Sequence, residues 1–303
     1  MARGRARGTR GAGKRRGNSM SQDNSGQREF WSGKPGETWL RHTAALDVFF
    51  APVDGLLLDA AAPTPGEAVL DLGCGAGATS RTFAAAVAPG GSVLGLDLSP
   101  LMVERAIRDS LEAGVGNVRF VQGDAADAGL PPAAHDLLVS RFGAMFFADP
   151  VDGYRTLRGT LKPGGRIALA CWAGYAGNPW FRLPQRIAQQ RLGPEAPGDP
   201  HAPGPMAFAD IARVEAILRA AGYADVRGTA HDLHLTHPGG IDAALPLMTQ
   251  LGPAGRLLRE RDGSAEDRHA IADALRAALA GYLAPDGALS VPARINLFAA
   301  RRP

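Results

Sequence analysis

A glycine-rich turn between a short apolar strand and a helix constrains this chain more than any other feature. Residues 69–72 form an apolar run of the kind that is typical of a buried parallel strand. Gly73, Gly75 and Gly77 follow, and glycine there lets a ligand approach the backbone closely. Residues 78–88 have the composition of a helix. A strand, a glycine turn and a helix N-terminus together predict a nucleotide-binding crevice.

The spacing of the glycines does not by itself identify the nucleotide. Gly73, Gly75 and Ala78 fit the loose dinucleotide fingerprint, and an acid, Asp97, follows about 20 residues later. Asp71, at the end of the strand, favours another ligand, because a carboxylate repels a pyrophosphate and attracts an ammonium group. S-adenosylmethionine (SAM) has an amino-acid end, a sulfonium and a ribose but no phosphate. We therefore expect SAM rather than NAD, and a turn that only packs strand on helix is the alternative without a ligand.

Composition narrows the class of protein. The chain has 303 residues, of which 45% are hydrophobic and 21% charged, so a large core is expected. Its two cysteines, Cys74 and Cys171, are placed in predicted core strands or turns, which is typical of a reduced, cytoplasmic protein. They predict neither a disulfide framework nor a metal site. No apolar run approaches the roughly 20 residues needed to span a membrane, so no membrane span is expected.

The basic residues are concentrated at the N-terminus. Residues 1–19 hold seven of the 33 Lys and Arg residues and no acid, whereas residues 20–303 carry 26 basic and 30 acidic residues. We predict that residues 1–28 are a disordered basic tail, because they contain almost no large apolar side chains. Such a tail could be a nucleic-acid-binding arm, a targeting segment or an over-extended start with Met20 as the initiator. The acidic body makes nucleic acid an unlikely partner except through the tail.

The rest of the chain alternates strands and helices. Residues 29–62 predict an N-terminal helical cap whose aromatic side chains could cover a cofactor or belong to the core. Strands are predicted at 92–97, 117–122, 135–140 and 166–172, with helical segments between them. This pattern predicts an α/β fold with a mostly parallel sheet and helices on both faces.

Polar side chains end several of these strands, at the sheet edge where ligands bind in α/β proteins. Asp97 could accept both hydroxyls of a ribose, and Asp124 could accept from an adenine amino group. Met102 could lie on the adenine ring. Ordinary helix packing for Met102 and a turn role for Asp124 are the alternatives. Arg141 and Phe142 lie just beyond the fourth strand.

Two segments are predicted to close over a substrate. Residues 173–205 contain seven prolines and predict a long, irregular lid, and residues 236–290 predict a mostly helical one. Further strands are predicted at 225–235 and 293–299. Packing of the first insertion onto the sheet is the alternative to a lid. An apolar pocket that excludes water and favours a flat or apolar acceptor is predicted from four aromatic side chains: Phe142, Trp172, Tyr175 and Trp180.

Four motifs together resemble a known family. They are Val69-Leu-Asp-Leu-Gly-Cys-Gly-Ala-Gly77, Gly95-Leu-Asp-Leu-Ser-Pro100, Gln122-Gly-Asp-Ala125 and Leu161-Lys-Pro-Gly-Gly-Arg166. In order and spacing they are similar to those of class I SAM-dependent methyltransferases, within the broad group that includes the ubiquinone/menaquinone C-methyltransferases. The resemblance implies a Rossmann-like, seven-stranded sheet whose last strand is antiparallel, in a domain over residues 63–303 with the two lid segments as insertions.

The resemblance also implies a cofactor site. It assigns the methionine end of SAM to the strand-end acid and the glycines, the ribose to Asp97, and the adenine to Asp124 and Ala125. It places Ser140 and Arg141 near the methyl group or the methionine end. With adjacent residues, the predicted cofactor-binding set is Asp71, Gly73, Cys74, Gly75, Gly77, Asp97, Leu98, Met102, Asp124, Ala125, Ser140 and Arg141.

The predicted chemistry is in-line transfer of the sulfonium methyl group to a small molecule, for which the protein supplies positioning and exclusion of water. A base is needed only if the acceptor must lose a proton. His135 begins a strand at the wrong end of the sheet, and Tyr175, His201, His231 and His234 have surface or core roles as alternatives, so no catalytic residue is assigned. A SAM-binding module without turnover, a nucleic-acid-tethered methyltransferase and an NAD-dependent oxidoreductase are the other classes considered.

Overall fold

The predicted alternation of strands and helices extends through the chain. The protein is described from a computed structural model, and the description covers residues 24–196 and 198–303. In chain order the elements are α1 (Ser25–Ser32), α2 (Lys34–Arg41), α3 (Thr43–Ala61), β1 (Ala68–Leu72), α4 (Ala78–Ala86), β2 (Ser92–Asp97), α5 (Pro100–Glu112), β3 (Val118–Gln122), β4 (His135–Arg141), α6 (Pro150–Thr160), β5 (Leu161–Trp172), α7 (Pro179–Leu192), α8 (Ile211–Ala220), β6 (Ala224–His237), α9 (Gly240–Gln250), α10 (Gly252–Glu260), α11 (Ala265–Leu279) and β7 (Leu289–Arg301). None of the helices in these ranges is long and apolar enough to cross a membrane.

The strands of the described ranges form one seven-stranded sheet in the order β3-β2-β1-β4-β5-β7-β6. The pairs among β1 to β5 are parallel, and β7 is antiparallel to both of its neighbours. In the middle of the sheet, Leu70 of β1 lies between Leu94 of β2 and Leu138 of β4. A continuous apolar run is what a parallel strand covered on both faces requires. The predicted fold class, including the antiparallel last strand, is confirmed.

The helix α3 attaches the N-terminal cap to the sheet. Phe49, Val53 and Leu57 recur at helical spacing and are fully buried. They belong to the face that α3 packs on β4, β5 and β6. Burial of each such side chain contributes about 1.5–3 kcal/mol, so the anchor is strong. The prediction of helices between residues 29 and 62 is correct.

The boundary of the predicted disordered tail needs correction. Helix α1 begins at Ser25, so residues 25–28 are helical rather than disordered. The physical reason is tertiary, because the side chain of Asn24 and the ring of Trp31 make contacts with the body of the protein. The remaining part of that prediction, residues 1–23, lies outside the described residues.

The insertion after β5 is less irregular than predicted, because α7 occupies much of it. Pro179 is at the start of α7, where a missing N–H costs no helical hydrogen bond, and Pro184 is tolerated inside the helix. The proline content of the segment therefore indicated an irregular loop where a helix is present. Within the predicted insertion, residues 173–178, 193–196 and 198–205 are irregular.

The last two strands are longer than predicted. β6 and β7 pair from Ala224 with Arg301 to His237 with Leu289. The two ends of the predicted lid at 236–290 therefore belong to β6 and β7. Helices α9, α10 and α11 make up most of the segment between these strands. Long antiparallel pairing is a non-local interaction, which explains why local patterns underestimated both strands.

Candidate functional site

A cavity of about 470 Å³ opens at the carboxyl ends of the parallel strands. The glycine turn forms one side of it, and the cap helices, the segment after β5 and α10 form the other. Most residues of the predicted sites line this cavity: Gly73, Cys74, Gly75, Asp97, Leu98, Met102, Asp124, Ala125, Arg141, Phe142, Trp172, Tyr175 and Trp180. Asp71, Gly77 and Ser140 do not line it.

The three glycines of the turn have different structural roles. Gly73, Gly75 and Gly77 all have positive φ values, of 66°, 53° and 80°. A Cβ at Gly73 would lie 2.7 Å from the Cα of Gly143, and one at Gly77 would lie 2.8 Å from the ring of Phe120. A Cβ at Gly75 would meet no atom within 4 Å. Gly73 and Gly77 therefore permit close packing, whereas Gly75 keeps the backbone open to the cavity.

Asp71 lies beneath the glycine turn rather than on its surface. Its side chain is 1% exposed, and its Oδ2 accepts a hydrogen bond of 2.6 Å from the Ser80 hydroxyl of α4. Its Oδ1 is buried without a hydrogen-bond partner among the described residues. Burial raises the pKa of Asp71 to about 7, and the Ser80 hydrogen bond and the Arg141 charge oppose that rise. The carboxyl therefore changes charge near neutral pH.

Ser140 ties the turn to the fourth strand. Its hydroxyl donates to the backbone oxygen of Leu72 at 2.7 Å and accepts from the N–H of Gly143 at 3.1 Å. The side chain is fully buried, so it fixes the spacing between β1 and the loop after β4. Ser140 thus contacts the backbone that forms the cavity wall and does not itself line the cavity, and its predicted place near the methyl group or the methionine end of SAM stays a prediction.

Asp97 fixes the turn from the side of β2. Its Oδ2 accepts from the N–H of Gly75 at 2.9 Å, and its Oδ1 accepts from the N–H of Ser99 at 2.8 Å. Burial raises the pKa of Asp97, and these two backbone hydrogen bonds oppose that effect. The carboxylate faces the cavity with a fixed orientation and retains lone pairs for a further donor.

Asp124 joins the cofactor side of the cavity to the N-terminal cap. Its Oδ1 accepts from the N–H of Ala126 at 3.0 Å and from the Nδ2 of Asn24 at 3.4 Å. The Oδ1 of Asn24 accepts from the N–H of Ala148 at 3.1 Å, and Arg28 lies 3.8 Å from Asp124. Asn24 was missed by the sequence analysis. Its position before a helix was the available signal, since asparagine is a common N-cap residue.

Arg141 is held by two acids of α3. Its guanidinium donates to Asp54 at 2.6 Å and to Asp47 at 2.9 Å, and Asp54 also accepts from the hydroxyl of Thr79 at 2.9 Å. Burial opposes a raised pKa of Arg141, but the charges of Asp54 and Asp47 outweigh it. Asp47 and Asp54 were missed, although their separation of seven residues puts them on one helix face. This network joins the cap to both sides of the glycine turn.

Aromatic rings form much of the cavity wall. Phe142 and Trp172 are stacked with ring centroids 4.1 Å apart, and Phe50 meets both rings edge-on. Trp180 is 6% exposed and packs on Phe49 at 4.6 Å. Trp180 therefore both lines the cavity and belongs to the core under α3.

The N-terminal cap contributes further aromatic rings to the cavity wall. Trp31 meets Trp39 and Phe146 edge-on, at centroid distances of 5.7 and 5.6 Å, and all three rings line the cavity. Phe30 also lines it and is 42% exposed. These cap residues therefore line the cavity, and whether they cover a cofactor stays a prediction. We call the aromatic residues that line the cavity the aromatic chamber. Its members are Phe30, Trp31, Trp39, Phe50, Phe142, Phe146, Phe147, Trp172, Tyr175, Trp180 and Phe181.

The candidates for a base are spread over the molecule. Tyr175 lines the cavity, and burial raises the pKa of its hydroxyl, which makes it a donor rather than a base at neutral pH. His201, His231 and His234 do not line it. His135 is buried at the opposite edge of the sheet, as predicted.

The Asn178-Pro-Trp sequence has a structural role that its position in the insertion did not suggest. The Nδ2 of Asn178 donates to the backbone oxygens of Gly174 at 2.7 Å and Arg294 at 3.0 Å, and its Oδ1 accepts from the N–H of Arg294 at 3.1 Å. The side chain thereby fixes the start of α7 to β7 and sets where Trp180 enters the chamber.

Comparison with known proteins agrees with this geometry. A family model described as a methyltransferase domain matches residues 69–165. Nocamycin O-methyltransferase of Saccharothrix syringae is 36% identical over 202 residues, which cover 63% of this chain and 71% of that protein. Aklanonic acid methyltransferase DauC of Streptomyces sp. (strain C5) is 35% identical over 137 residues, which cover 45% of this chain and 62% of that protein.

Solved structures show the same fold. Phosphoethanolamine N-methyltransferase 2 of Haemonchus contortus, in complex with SAM, has a TM-score of 0.55 at 18% identity and covers 91% of this chain and 60% of its own. The YcgJ protein of Bacillus subtilis has a TM-score of 0.51 at 22% identity and covers 82% of this chain and 98% of its own. The family model matches the segment that contains the glycine turn, and this chain covers more than two thirds of nocamycin O-methyltransferase. The protein therefore belongs to the class I methyltransferases, which use SAM as their cofactor.

Proposed function

We propose that this methyltransferase transfers the methyl group of SAM to a small, flat and largely apolar acceptor held in the aromatic chamber. One observation carries the proposal: a single cavity joins the glycine turn to the stacked pair of Phe142 and Trp172. Apolar walls of this kind exclude water and favour apolar ligands. Relatives named for nocamycin and aklanonic acid support a small-molecule acceptor.

The cofactor side of the cavity has the features that SAM requires. Gly75 leaves open space where any other residue would place a Cβ, and the buried, unpartnered Oδ1 of Asp71 lies beneath the turn. We assign the methionine end to the turn at residues 73–75, the ribose to Asp97 and Leu98, and the adenine to the wall formed by Met102, Asp124 and Ala125. Asp71 acts from behind the turn, where its negative charge attracts the ammonium group of SAM.

Bound SAM supplies an electrophilic methyl group, and the protein's residues supply position and a dry environment. The three carboxylates in the lining are already engaged. Asp47 pairs with Arg141, Asp97 holds two backbone N–H groups, and Asp124 holds the N–H of Ala126 and the amide of Asn24. We therefore propose that the acceptor atom needs no base at this site, as is true of an atom that is already ionised at neutral pH.

The buried thiols support a reducing compartment. Cys74 and Cys171 are both buried and free, and burial raises the pKa of each thiol, which disfavours the reactive thiolate. We propose on this basis that the protein acts in the cytoplasm.

The test of the function is a methyl-transfer assay with isotopically labelled SAM. The protein is incubated with labelled SAM and fractions of small-molecule extract, and products are identified by mass spectrometry. We expect a labelled product whose formation is lost in Asp97→Asn and retained in Asp199→Asn, a loop acid that binds the N–H of His201 outside the cavity. SAM binding without any labelled product would instead support a binding module.

A further inference from the structure

Two arginines of α10 line the acceptor side of the cavity but differ in their partners. Arg256 forms an ion pair of 2.6 Å with Glu195 and a second one with Glu260 at 3.3 Å. The guanidinium of Arg259 makes no hydrogen bond or ion pair with any residue between 24 and 303 that the structure describes. Its neighbour Glu260 is turned to Arg256 instead. Arg259 thus presents five free N–H donors at the cavity wall.

A second uncommitted donor lies nearby. The hydroxyl of Tyr175 lines the same cavity and has no hydrogen-bond partner among the described residues. Burial lowers the pKa of Arg259, the Glu260 charge opposes that effect and the Arg256 charge adds to it. Burial raises the pKa of Tyr175, and the Arg256 charge opposes that rise. Tyr175, Arg256 and Arg259 all line this one cavity.

The charges in the cavity are separated by side. Asp97 and Asp124 follow β2 and β3 and line the part of the cavity that we assign to the cofactor, whereas Arg256 and Arg259 line it from α10. Asp47 and Arg141 neutralise each other between them. An anionic group on the acceptor is complementary to such a surface, and it would also be drawn towards the sulfonium of SAM.

We propose that Arg259, assisted by the Tyr175 hydroxyl, binds a carboxylate of the acceptor, so that the substrate class is a flat, apolar carboxylic acid. This inference rests on the proposed function, because it places the acceptor in the aromatic chamber. The planar guanidinium can hold both carboxylate oxygens, which fixes the direction of the ring system as well as its position. Arg259 is in this respect a substrate-binding residue that sets specificity.

The test compares acids with their uncharged amides. Benzoate, 2-naphthoate and 9-anthracenecarboxylate, each with its carboxamide, are titrated by calorimetry into the full-length protein saturated with S-adenosylhomocysteine. We expect the acid to bind about tenfold more tightly than its amide in at least one pair, the size of effect that a charge-assisted hydrogen bond gives at a half-exposed site. Arg259→Gln should remove that preference and leave the affinity for the amide within about twofold.

Matched variants make the result specific. Arg268→Gln of α11 removes another exposed arginine that does not line the cavity, and it should retain the acid preference. Tyr175→Phe should reduce the preference about threefold, because it deletes only the hydroxyl. The inference is overturned if no pair shows an acid preference in the native protein, or if the preference survives Arg259→Gln.

The same samples separate this inference from the proposed function. If S-adenosylhomocysteine binds to native protein and to Arg259→Gln alike, and labelled methyl transfer is observed, a missing acid preference refutes only the role of Arg259. If S-adenosylhomocysteine fails to bind the native protein, the proposed function itself fails.

Discussion

The two halves of the cavity are built in different ways. The cofactor half comes from the ends of neighbouring strands, where Gly75, Asp97 and Asp124 each lie within a few residues of a strand end. The acceptor half has Phe142 and Trp172 at the ends of β4 and β5, but the rest of it is assembled from the cap helices, the segment after β5 and α10, which are far apart in sequence. The cofactor half is thus set by local turns on a rigid sheet, whereas the acceptor half depends on how distant elements pack. Substitutions in one half should leave the function of the other largely intact.

The largest expected effect is in the acceptor half, at Trp180. Trp180→Ala should cost about 3–5 kcal/mol of folding free energy, because the ring packs on Phe49 at 4.6 Å and is almost fully buried. Methyl transfer by the folded fraction should fall about 10- to 100-fold, since the chamber loses a wall. Chemical denaturation and assays at low temperature measure the two quantities, with Trp180→Phe as the milder control.

The affinity for SAM of the folded Trp180→Ala protein should stay within about threefold of the native value, a difference below 1 kcal/mol. A loss of SAM affinity that matches the loss of methyl transfer would show that the two halves are not separable at this position.

The next effect belongs to the cofactor half, at Asp97. Asp97→Asn removes the charge and one of the two acceptors that hold the N–H groups of Gly75 and Ser99. Affinity for SAM and for S-adenosylhomocysteine should fall together by about 1.5–3 kcal/mol, the range for a hydrogen bond to a charged group. Calorimetry measures both, and Asp199→Asn is the matched control. Unchanged affinity for both ligands would make Asp97 a plain strand-end residue.

A smaller, pH-dependent effect is expected at Asp71. With a pKa of about 7, the carboxyl of the ligand-free protein is mostly neutral at pH 6 and ionised at pH 8. The affinity of the native protein for S-adenosylhomocysteine, divided by that of Asp71→Asn, should therefore rise about tenfold over this range, as the ionised carboxylate attracts the ammonium group. The ligand's own amino group titrates in both measurements and cancels in the ratio. If this ratio of affinities does not change with pH, the charge of Asp71 does not affect ligand binding.

The same raised pKa predicts a dependence of stability on pH in the ligand-free protein. The pKa of Asp71 is raised from an ordinary value of 3.8 to about 7, so the folded state binds a proton that the unfolded state releases between these values. The stability of the native protein relative to Asp71→Asn should accordingly fall as pH rises from about 4 to 7 and then level off. Urea denaturation of both proteins across this range measures the difference.

The smallest effect is expected from the tail. Deletion of residues 1–19 should change the folding free energy by less than about 0.5 kcal/mol and leave SAM affinity unaltered, because a Gly- and Arg-rich segment contributes little apolar surface to bury. Thermal melts and calorimetry are sufficient. A clear loss in either would show that the tail contacts one of the two halves, and a loss of nucleic-acid binding alone would favour the tethered alternative.

Prediction from sequence worked best where an interaction is local. The glycine turn and the strand-end acids Asp97 and Asp124 are each placed by their own strand, and the carboxyl ends of parallel strands meet at one edge. Asp71 and Ser140 do not line the cavity themselves, because Asp71 accepts from the Ser80 hydroxyl of α4 and Ser140 donates to the backbone oxygen of Leu72. Strand alternation gives the face on which a side chain lies, but which atoms it meets there depends on neighbouring strands.

The acceptor half shows what local patterns cannot predict. Trp31 is recognisable in the sequence as an aromatic residue of the cap, yet its place beside Phe146 depends on how α1 packs against the loop after β4. Arg259 carries no local signal, since an arginine near a helix end usually faces solvent and favours the helix dipole. Its significance comes from its place in the cavity wall, which only the packed structure shows.

The sequence alone determined the sheet, the glycine turn and the cofactor, because apolar periodicity and a few turn residues fix strands and their ends over short distances. Only the tertiary structure decided the shape and charge of the acceptor chamber. Its walls come from residues as distant as Trp31 and Arg259, and their contacts depend on side-chain packing between elements that no short-range pattern encodes. The same physics explains why Asp71 titrates near neutral pH, since burial beneath the turn, and not the residue type, raises its pKa.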